Sequence, residues 1–249
     1  MYEFPFLLAT LLVPLLGAVI IMCLPAVRHQ EIKYIAAVST GISLALSLMI
    51  AFGYDKNLGG MQFVLSIPWI QDLGVSFALG VDGISIPMLL LTTLIGFSAG
   101  YASWNIASRV KEFFVLLLIL IAGVMGTFIT TDLFIFLLFY EVVVIPIYLL
   151  VIMFGSTKRV TKEYAGMKLT IYLLIGSAFL LAAVIALFIK AQAISGVASM
   201  DMAFLATLDY STEFQIIIFA FMAFGFGTLL SMFPFMLGHR MVMPVLRLQ

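Results

Sequence analysis

Residues 133–153 read LFIFLLFYEVVVIPIYLLVIM, an apolar run in which Glu141 is the one acidic or basic side chain. The run does not alternate apolar and polar residues, so it predicts a helix and not a strand of a membrane barrel. A bilayer core of about 30 Å requires about 20 mainly apolar residues in a helix. This stretch therefore predicts a transmembrane helix.

The composition of the whole chain has the same character. Of its 249 residues 64% are hydrophobic and 10% are charged, and the mean hydropathy is +1.25, which excludes a soluble globular domain. Twelve Lys and Arg balance twelve Asp and Glu, so no net charge favours nucleic acid. We predict an all-α fold, a polytopic bundle of about seven transmembrane helices, near residues 4–24, 34–54, 84–104, 113–130, 133–153, 169–190 and 215–237.

The basic residues between these spans predict the orientation of the bundle. Alternate connections carry ten Lys and Arg, against two in the connections between them. Because basic residues accumulate on the cytoplasmic side, the N-terminus is expected outside. The ten are Arg28, Lys33, Arg109, Lys111, Lys158, Arg159, Lys162, Lys168, Arg240 and Arg247.

Two long connections lie on the expected outer face. The first, Asp55 to Asp82, contains the alternating stretches 62–66 and 75–79, which predict two short strands. The second, Ala191 to Glu213, is rich in small and polar residues and predicts a loop.

Glu141 is the leading candidate for function. It lies nine residues beyond Asp132, which is about 13 Å along a helix and near the middle of the bilayer. An ionised carboxylate there costs about 2.5 to 3.5 kcal/mol on insertion scales, so an intramembrane Glu is a functional candidate by default. Pro146 has no N–H to bond the Val142 carbonyl beside it. The alternative is a protonated Glu that only bonds neighbouring helices.

Three further residues have structural and functional interpretations. Lys168 begins the predicted sixth span, where its ammonium can reach the surface or face a buried partner; position alone favours the surface. Asp82 and Asp132 each precede a span, so helix capping is favoured over proton transfer.

No pattern for cofactor or metal binding occurs in the chain. It has one cysteine, Cys23, and lacks a glycine-rich phosphate loop and a nucleophile elbow. We expect no cofactor in this chain, and redox chemistry, if it is needed, in other chains.

Three motifs in order resemble chain M, the subunit 4 type, of proton-pumping NADH–quinone oxidoreductase, respiratory complex I. They are residues 80–87 (GVDGISIP), 132–148 (DLFIFLLFYEVVVIPIY) and 164–172 (YAGMKLTIY), and the resemblance covers 1–235.

The resemblance implies an antiporter-like subunit of a prokaryotic cell membrane that contributes a half-channel. Glu141 matches the family's functional acid, and Lys168 matches the lysine after its charged inner loop, a candidate modulator of Glu141 protonation. The implied partners are other membrane subunits that hold the quinone site and the redox centres.

The chain departs from the family pattern in two ways. The family has a second inverted repeat, and residues 1–235 match only its N-terminal half; Leu229 stands where an ungapped match places a buried lysine. The tail 236–249 diverges, and permissible codons read one base earlier restore a family-like turn, so we hypothesise a frameshift near Phe235 that sequencing the locus would test. The alternatives are a nonpumping structural fragment and a subunit of a related cation/proton antiporter or membrane hydrogenase.

Overall fold

The computed structural model describes residues 5–155 and 159–229, and of residues 159–162 and 229 it describes the backbone alone. Within these ranges there are eight helices and one two-stranded sheet. The helices are α1 Phe6–Cys23, α2 His29–Gly53, α3 Ser85–Ala102, α4 Val110–Ile129, α5 Leu133–Phe154, α6 Arg159–Ser195, α7 Met202–Ala206 and α8 Thr212–Leu229.

The predicted all-α bundle is confirmed. In the described part of the chain, six helices, α1 to α6, are long and apolar enough to cross a membrane, and they match the first six predicted spans. The seventh predicted span, 215–237, begins within the apolar helix α8. Its end lies outside the described residues, as does the tail 236–249 with its predicted frameshift.

The two predicted strands are confirmed, and both are longer than expected. Strand β1 spans Gln62–Ile70 and β2 spans Val75–Val81. A short 3-10 turn, Gln71–Leu73, joins them and ends at Gly74, whose φ of +61° lies in the left-handed region.

The predicted bounds of the sixth span are wrong at both ends. Helix α6 begins at Arg159 and continues to Ser195, whereas the prediction was 169–190. Hydropathy detects only the apolar part, but the polar residues on either side are also compatible with a helix. Gly196, with φ +71°, ends the helix, and its amide donates to the Gln192 carbonyl over 2.9 Å. The predicted outer loop also contains the short helix α7.

The chain forms two compact units. The first comprises Met1–Pro68 and Phe77–Pro146, and the second comprises Trp69–Ser76 and Ile147–Gln249. In the first unit α1, α2, α3 and α4 pack together. Their core includes fully buried side chains from all four helices: Leu7, Leu11, Ile32, Leu89, Phe114, Leu118 and Met125.

The second unit is built on close contact between α6 and α8. A Cβ atom added at Gly176 would collide with Thr228, and one added at Gly225 would lie 2.4 Å from Leu180. Such small residues allow membrane helices to approach closely. The tip of the hairpin belongs to the same unit, where the Met200 amide donates to the Gly74 carbonyl over 3.2 Å.

Buried hydroxyl groups form a second pattern in the first unit. Ser43 and Ser47 of α2 are 1% and 0% exposed. The Ser43 hydroxyl donates to the Thr10 carbonyl of α1 over 3.4 Å, and the Ser47 and Thr93 hydroxyls lie 2.8 Å apart between α2 and α3. We call Thr10, Ser39, Thr40, Ser43, Ser47 and Thr93 the hydroxyl seam; all six are buried.

Candidate functional site around Glu141

Asp132 fixes the start of the helix that carries Glu141. Its side chain is 1% exposed, and its Oδ1 accepts from the amides of Phe134 at 2.9 Å and Ile135 at 3.1 Å. Two of the four amides without an intrahelical partner are thereby bonded. The geometry of Asp132 is that of a helix cap.

Strand β2 holds the residues just before this cap. The Thr131 amide donates to the Ala78 carbonyl over 3.0 Å, and the Thr130 hydroxyl donates to the same carbonyl over 3.1 Å. Leu79 and Thr130 also form an antiparallel bridge. The residues that lead into α5 are therefore held by strand β2 of the hairpin, within the first unit.

Two glycines of α4 determine which face of α5 packs against it. A Cβ added at Gly123 would lie 2.7 Å from Val143, and one added at Gly126 would lie 2.4 Å from the Phe139 ring. Residues 139 and 143 are four apart and share a helix face, but Glu141 lies two residues from each and points away from it. The packing of α5 on α4 thus leaves Glu141 on another face.

Glu141 shares its face of α5 with apolar side chains. It is half-buried, and its helix-surface neighbours Leu138 and Ile145 are 39% and 63% exposed. Within residues 5–155 and 159–229 the Glu141 carboxylate makes no hydrogen bond and no ion pair. A bare charge in the middle of an apolar membrane helix is costly, which makes Glu141 a functional candidate.

Pro146 removes one backbone hydrogen bond of α5 close to Glu141. Proline lies inside α5 and has no N–H to donate to the Val142 carbonyl one turn earlier. That carbonyl directly follows Glu141 in the chain, so it is available to a water molecule or a protonated carboxyl.

Asp82 lies at the hairpin end of the first unit, where α5 also begins. Its Oδ1 accepts from the amides of Ser85 at 2.7 Å and Ile84 at 3.1 Å, and its own amide donates to the Ser85 hydroxyl over 2.8 Å. The hydrogen bond from the Ser85 amide is the main reason that the pKa of Asp82 is lowered, against a smaller opposing effect of burial. Asp82 is therefore a capping residue by geometry, ionised at neutral pH.

Lys168 lies within α6 and in the second unit, whereas Glu141 lies in the first. The prediction placed Lys168 at the start of a span, but α6 begins nine residues earlier. The side chain is half-buried, and its Nζ lies 6.0 Å from the centre of the Tyr164 ring, the outer limit of a cation–π contact.

Sequence reasoning missed the hydroxyl seam. Its signal was present, because Ser39, Ser43 and Ser47 recur every fourth residue in an apolar span. Their partners on α1 and α3 could not be read from that spacing. No group of three His, Cys, Asp or Glu side chains suited to a metal ion occurs in the described part of the chain.

Comparison with known proteins identifies relatives of the chain. Residues 130–239, which include all of α5, match the family described as "NADH:quinone oxidoreductase/Mrp antiporter, TM". NAD(P)H-quinone oxidoreductase chain 4 1 of Picosynechococcus sp. is 34% identical over 93% of this chain, and chain 4 2 of Microcystis aeruginosa is 33% identical over 93%. The chain spans 42% and 41% of the length of these two relatives.

Solved structures show the same fold. A chain of respiratory complex I from Thermus thermophilus superimposes with a TM-score of 0.80 at 24% identity, covering 95% of this chain and 46% of that chain. A chain of the Mrp complex from Dietzia sp. superimposes with a TM-score of 0.79 at 17% identity, covering 96% of this chain and 25% of that chain. At these identities the likeness concerns the fold alone.

Proposed function

We propose that Glu141 is the proton-carrying group of a half-channel. The premise is that this chain belongs to the antiporter-like family of NADH:quinone oxidoreductase membrane subunits of the chain 4 type. The chain is an integral membrane subunit. The observation that carries the proposal is a half-buried carboxylate in the middle of the apolar helix α5 with no protein partner among the described residues.

The surroundings of Glu141 suit a group that changes its protonation state. A carboxylate locked in hydrogen bonds, as Asp132 is, would hold one state. Glu141 instead has beside it the Val142 carbonyl, which Pro146 deprives of its usual helix donor, and a capped helix start nine residues before it. A proton can therefore be taken up or released there without breaking the capping contacts.

Proton transport against a membrane potential requires energy from elsewhere. Moving one charge against 100 mV costs about 2.3 kcal/mol. We place the quinone and the redox centres in partner membrane subunits, with no cofactor in this chain. We propose Lys168 as a modulator of the protonation of Glu141, the role that the resemblance implies. The relatives in Picosynechococcus and Microcystis favour a prokaryotic cell membrane.

Replacement of Glu141 tests the proposal. In the assembled complex reconstituted in vesicles, Glu141→Gln is expected to abolish proton movement through this subunit, while Glu141→Asp retains part of it. The matched control is Glu112→Gln, which removes an exposed carboxylate from the first turn of α4 and should leave transport unchanged. Full proton transport by an assembled Glu141→Gln complex would reject the role of Glu141.

A related transporter is the second candidate. The fold is shared with a chain of the Mrp complex, so the same half-channel could serve a cation/proton antiporter. Proton movement in that case would depend on a cation gradient and not on electron donor and quinone. A chain that assembles but moves no protons under either condition would support the nonpumping structural alternative.

A further inference from the structure

One end of the first unit carries an excess of positive charge. The turn between α1 and α2, the first turns of α2, the turn between α3 and α4 and the first turn of α4 contain Arg28, Lys33, Arg109 and Lys111, against Glu31 and Glu112. Lys111 connects the start of α4 to the end of α1, because its Nζ donates to the Met22 and Leu24 carbonyls, each over 2.8 Å. The opposite connection, from α2 to α3, contains Asp55, Asp72 and Asp82 with Lys56.

Three aromatic rings lie at this basic end and contact one another. The Trp104 ring meets the edge of Tyr34 at 5.4 Å between centroids and stacks on Tyr101 at 5.8 Å. Tyr34 and Tyr101 are 60% and 63% exposed, so their rings line the surface of the bundle. Tryptophan and tyrosine are enriched at the headgroup level of membranes, where one side of the ring is apolar and the other is wet.

Lys33 brings a positive charge to the same place. Its Nζ donates to the Trp104 carbonyl over 2.6 Å, which uses one of the three donors of the ammonium group. Arg109, five residues after Trp104, is exposed, and within the described residues its guanidinium makes no hydrogen bond or ion pair. Donors for a phosphate group are thus available beside an aromatic surface.

We infer that Lys33, Tyr34, Tyr101 and Trp104 form a binding site for the headgroup of an anionic phospholipid. The negative charge of the phosphate and of the whole headgroup complements the positive charge of Lys33. The aromatic rings place the site at the depth where that headgroup lies. We call these four residues the basic aromatic corner. The inference is independent of proton transport, because it uses neither Glu141 nor Lys168.

Fluorescence quenching by brominated lipids tests this inference. Trp69 and Trp104 are the two tryptophans of the chain, so Trp69→Phe leaves Trp104 as the reporter. The full chain is placed in phosphatidylcholine vesicles containing the same mole fraction of either brominated phosphatidylglycerol or brominated phosphatidylcholine. We expect Trp104 to favour phosphatidylglycerol about fivefold, the order expected for one basic side chain near an anionic lipid.

Matched variants separate the site from general attraction to charge. Lys33→Gln should reduce the lipid preference to about one, Lys33→Arg should retain it, and Lys56→Gln, which removes an exposed lysine of the other connection, should leave it unchanged. Circular dichroism and the Trp104 emission maximum check that each variant keeps the fold. Equal quenching by the two brominated lipids, or a preference that survives Lys33→Gln, would overturn the inference. So would a preference lost equally in Lys56→Gln.

Discussion

Polar groups within the first unit occur in two regions that differ in how they are bonded. In the hydroxyl seam, the Ser47 and Thr93 hydroxyls share one hydrogen bond, and the hydroxyl that accepts it donates to a carbonyl of its own helix. On α5, Glu141 is half-buried and has no hydrogen bond among the described residues. A polar group that is bonded within the bundle stabilises helix packing, whereas one without protein partners at membrane depth is available for chemistry.

A carboxylate placed in the hydroxyl seam would be an ionisable group inside the bundle, and it should lower the free energy of unfolding more than the other changes below. Ser47 is 0% exposed, so Ser47→Asp buries a charge among α2 and α3. We expect a loss of about 3 kcal/mol or more in the free energy of unfolding. Unfolding in detergent, followed by circular dichroism, measures it.

Two variants serve as controls for Ser47→Asp. Ser47→Ala keeps the volume small and should cost about 1 kcal/mol or less. Glu141→Gln replaces a carboxyl group that has no hydrogen bond among the described residues, and it should leave the free energy of unfolding unchanged or raise it. If Ser47→Asp were as stable as the parent, the seam would have to be hydrated and the contrast with Glu141 would be lost.

Crowding the contact between α4 and α5 tests whether packing holds Glu141 on its own face. A Cβ at Gly126 would lie 2.4 to 2.6 Å from atoms of the Phe139 ring, so Gly126→Ala should lower the free energy of unfolding by about 1 to 3 kcal/mol. Gly41→Ala is the matched control in α2, because the nearest atom lies at an ordinary 3.6 Å. That variant should stabilise by about 0.5 to 1 kcal/mol. A Gly126→Ala protein as stable as the Gly41→Ala protein would contradict the observed packing.

Removal of one hydroxyl from the seam should have a smaller effect. Thr93→Val deletes the bond to Ser47, but the Ser47 hydroxyl still donates to the Leu44 carbonyl over 2.8 Å. Hydrogen bonds between membrane helices average about 0.6 kcal/mol, so thermal unfolding in detergent should show a loss of about that size. Thr92→Val is the control, because Thr92 is half-buried and its hydroxyl donates to the Met88 carbonyl of its own helix. A loss well above 2 kcal/mol would show that the seam acts as a cooperative network.

Acid should weaken the Asp82 cap. The pKa of Asp82 is lower in the folded protein than in the unfolded chain. Its stabilising contribution is therefore full above the unfolded value, about 3.9, and is lost as the pH falls through the lowered folded value. Unfolding of Asp82→Asn should show less dependence on pH in this acidic range than unfolding of the parent. Identical pH profiles would contradict a contribution from Asp82 ionisation.

Local sequence was sufficient to predict the six long helices and the hairpin, but not the ends of α6 or the short helix α7. The transmembrane helices follow from runs of apolar residues long enough to cross lipid, and the hairpin follows from alternation at 62–66 and 75–79. The depth of Glu141 follows from counting residues along α5. These properties depend on residues that are close together in the chain, so they can be predicted from the sequence alone.

Tertiary structure decided how those elements meet. The spacing of the serines carries a signal at Ser47, but it does not identify Thr93 as the partner of Ser47. Hydropathy predicted too short a helix for α6, because the helix continues through polar residues. Gly123 and Gly126 of α4 determine which face of α5 packs against α4, and so which face carries Glu141. Contacts between residues far apart in the chain depend on shape and packing, which no local pattern encodes.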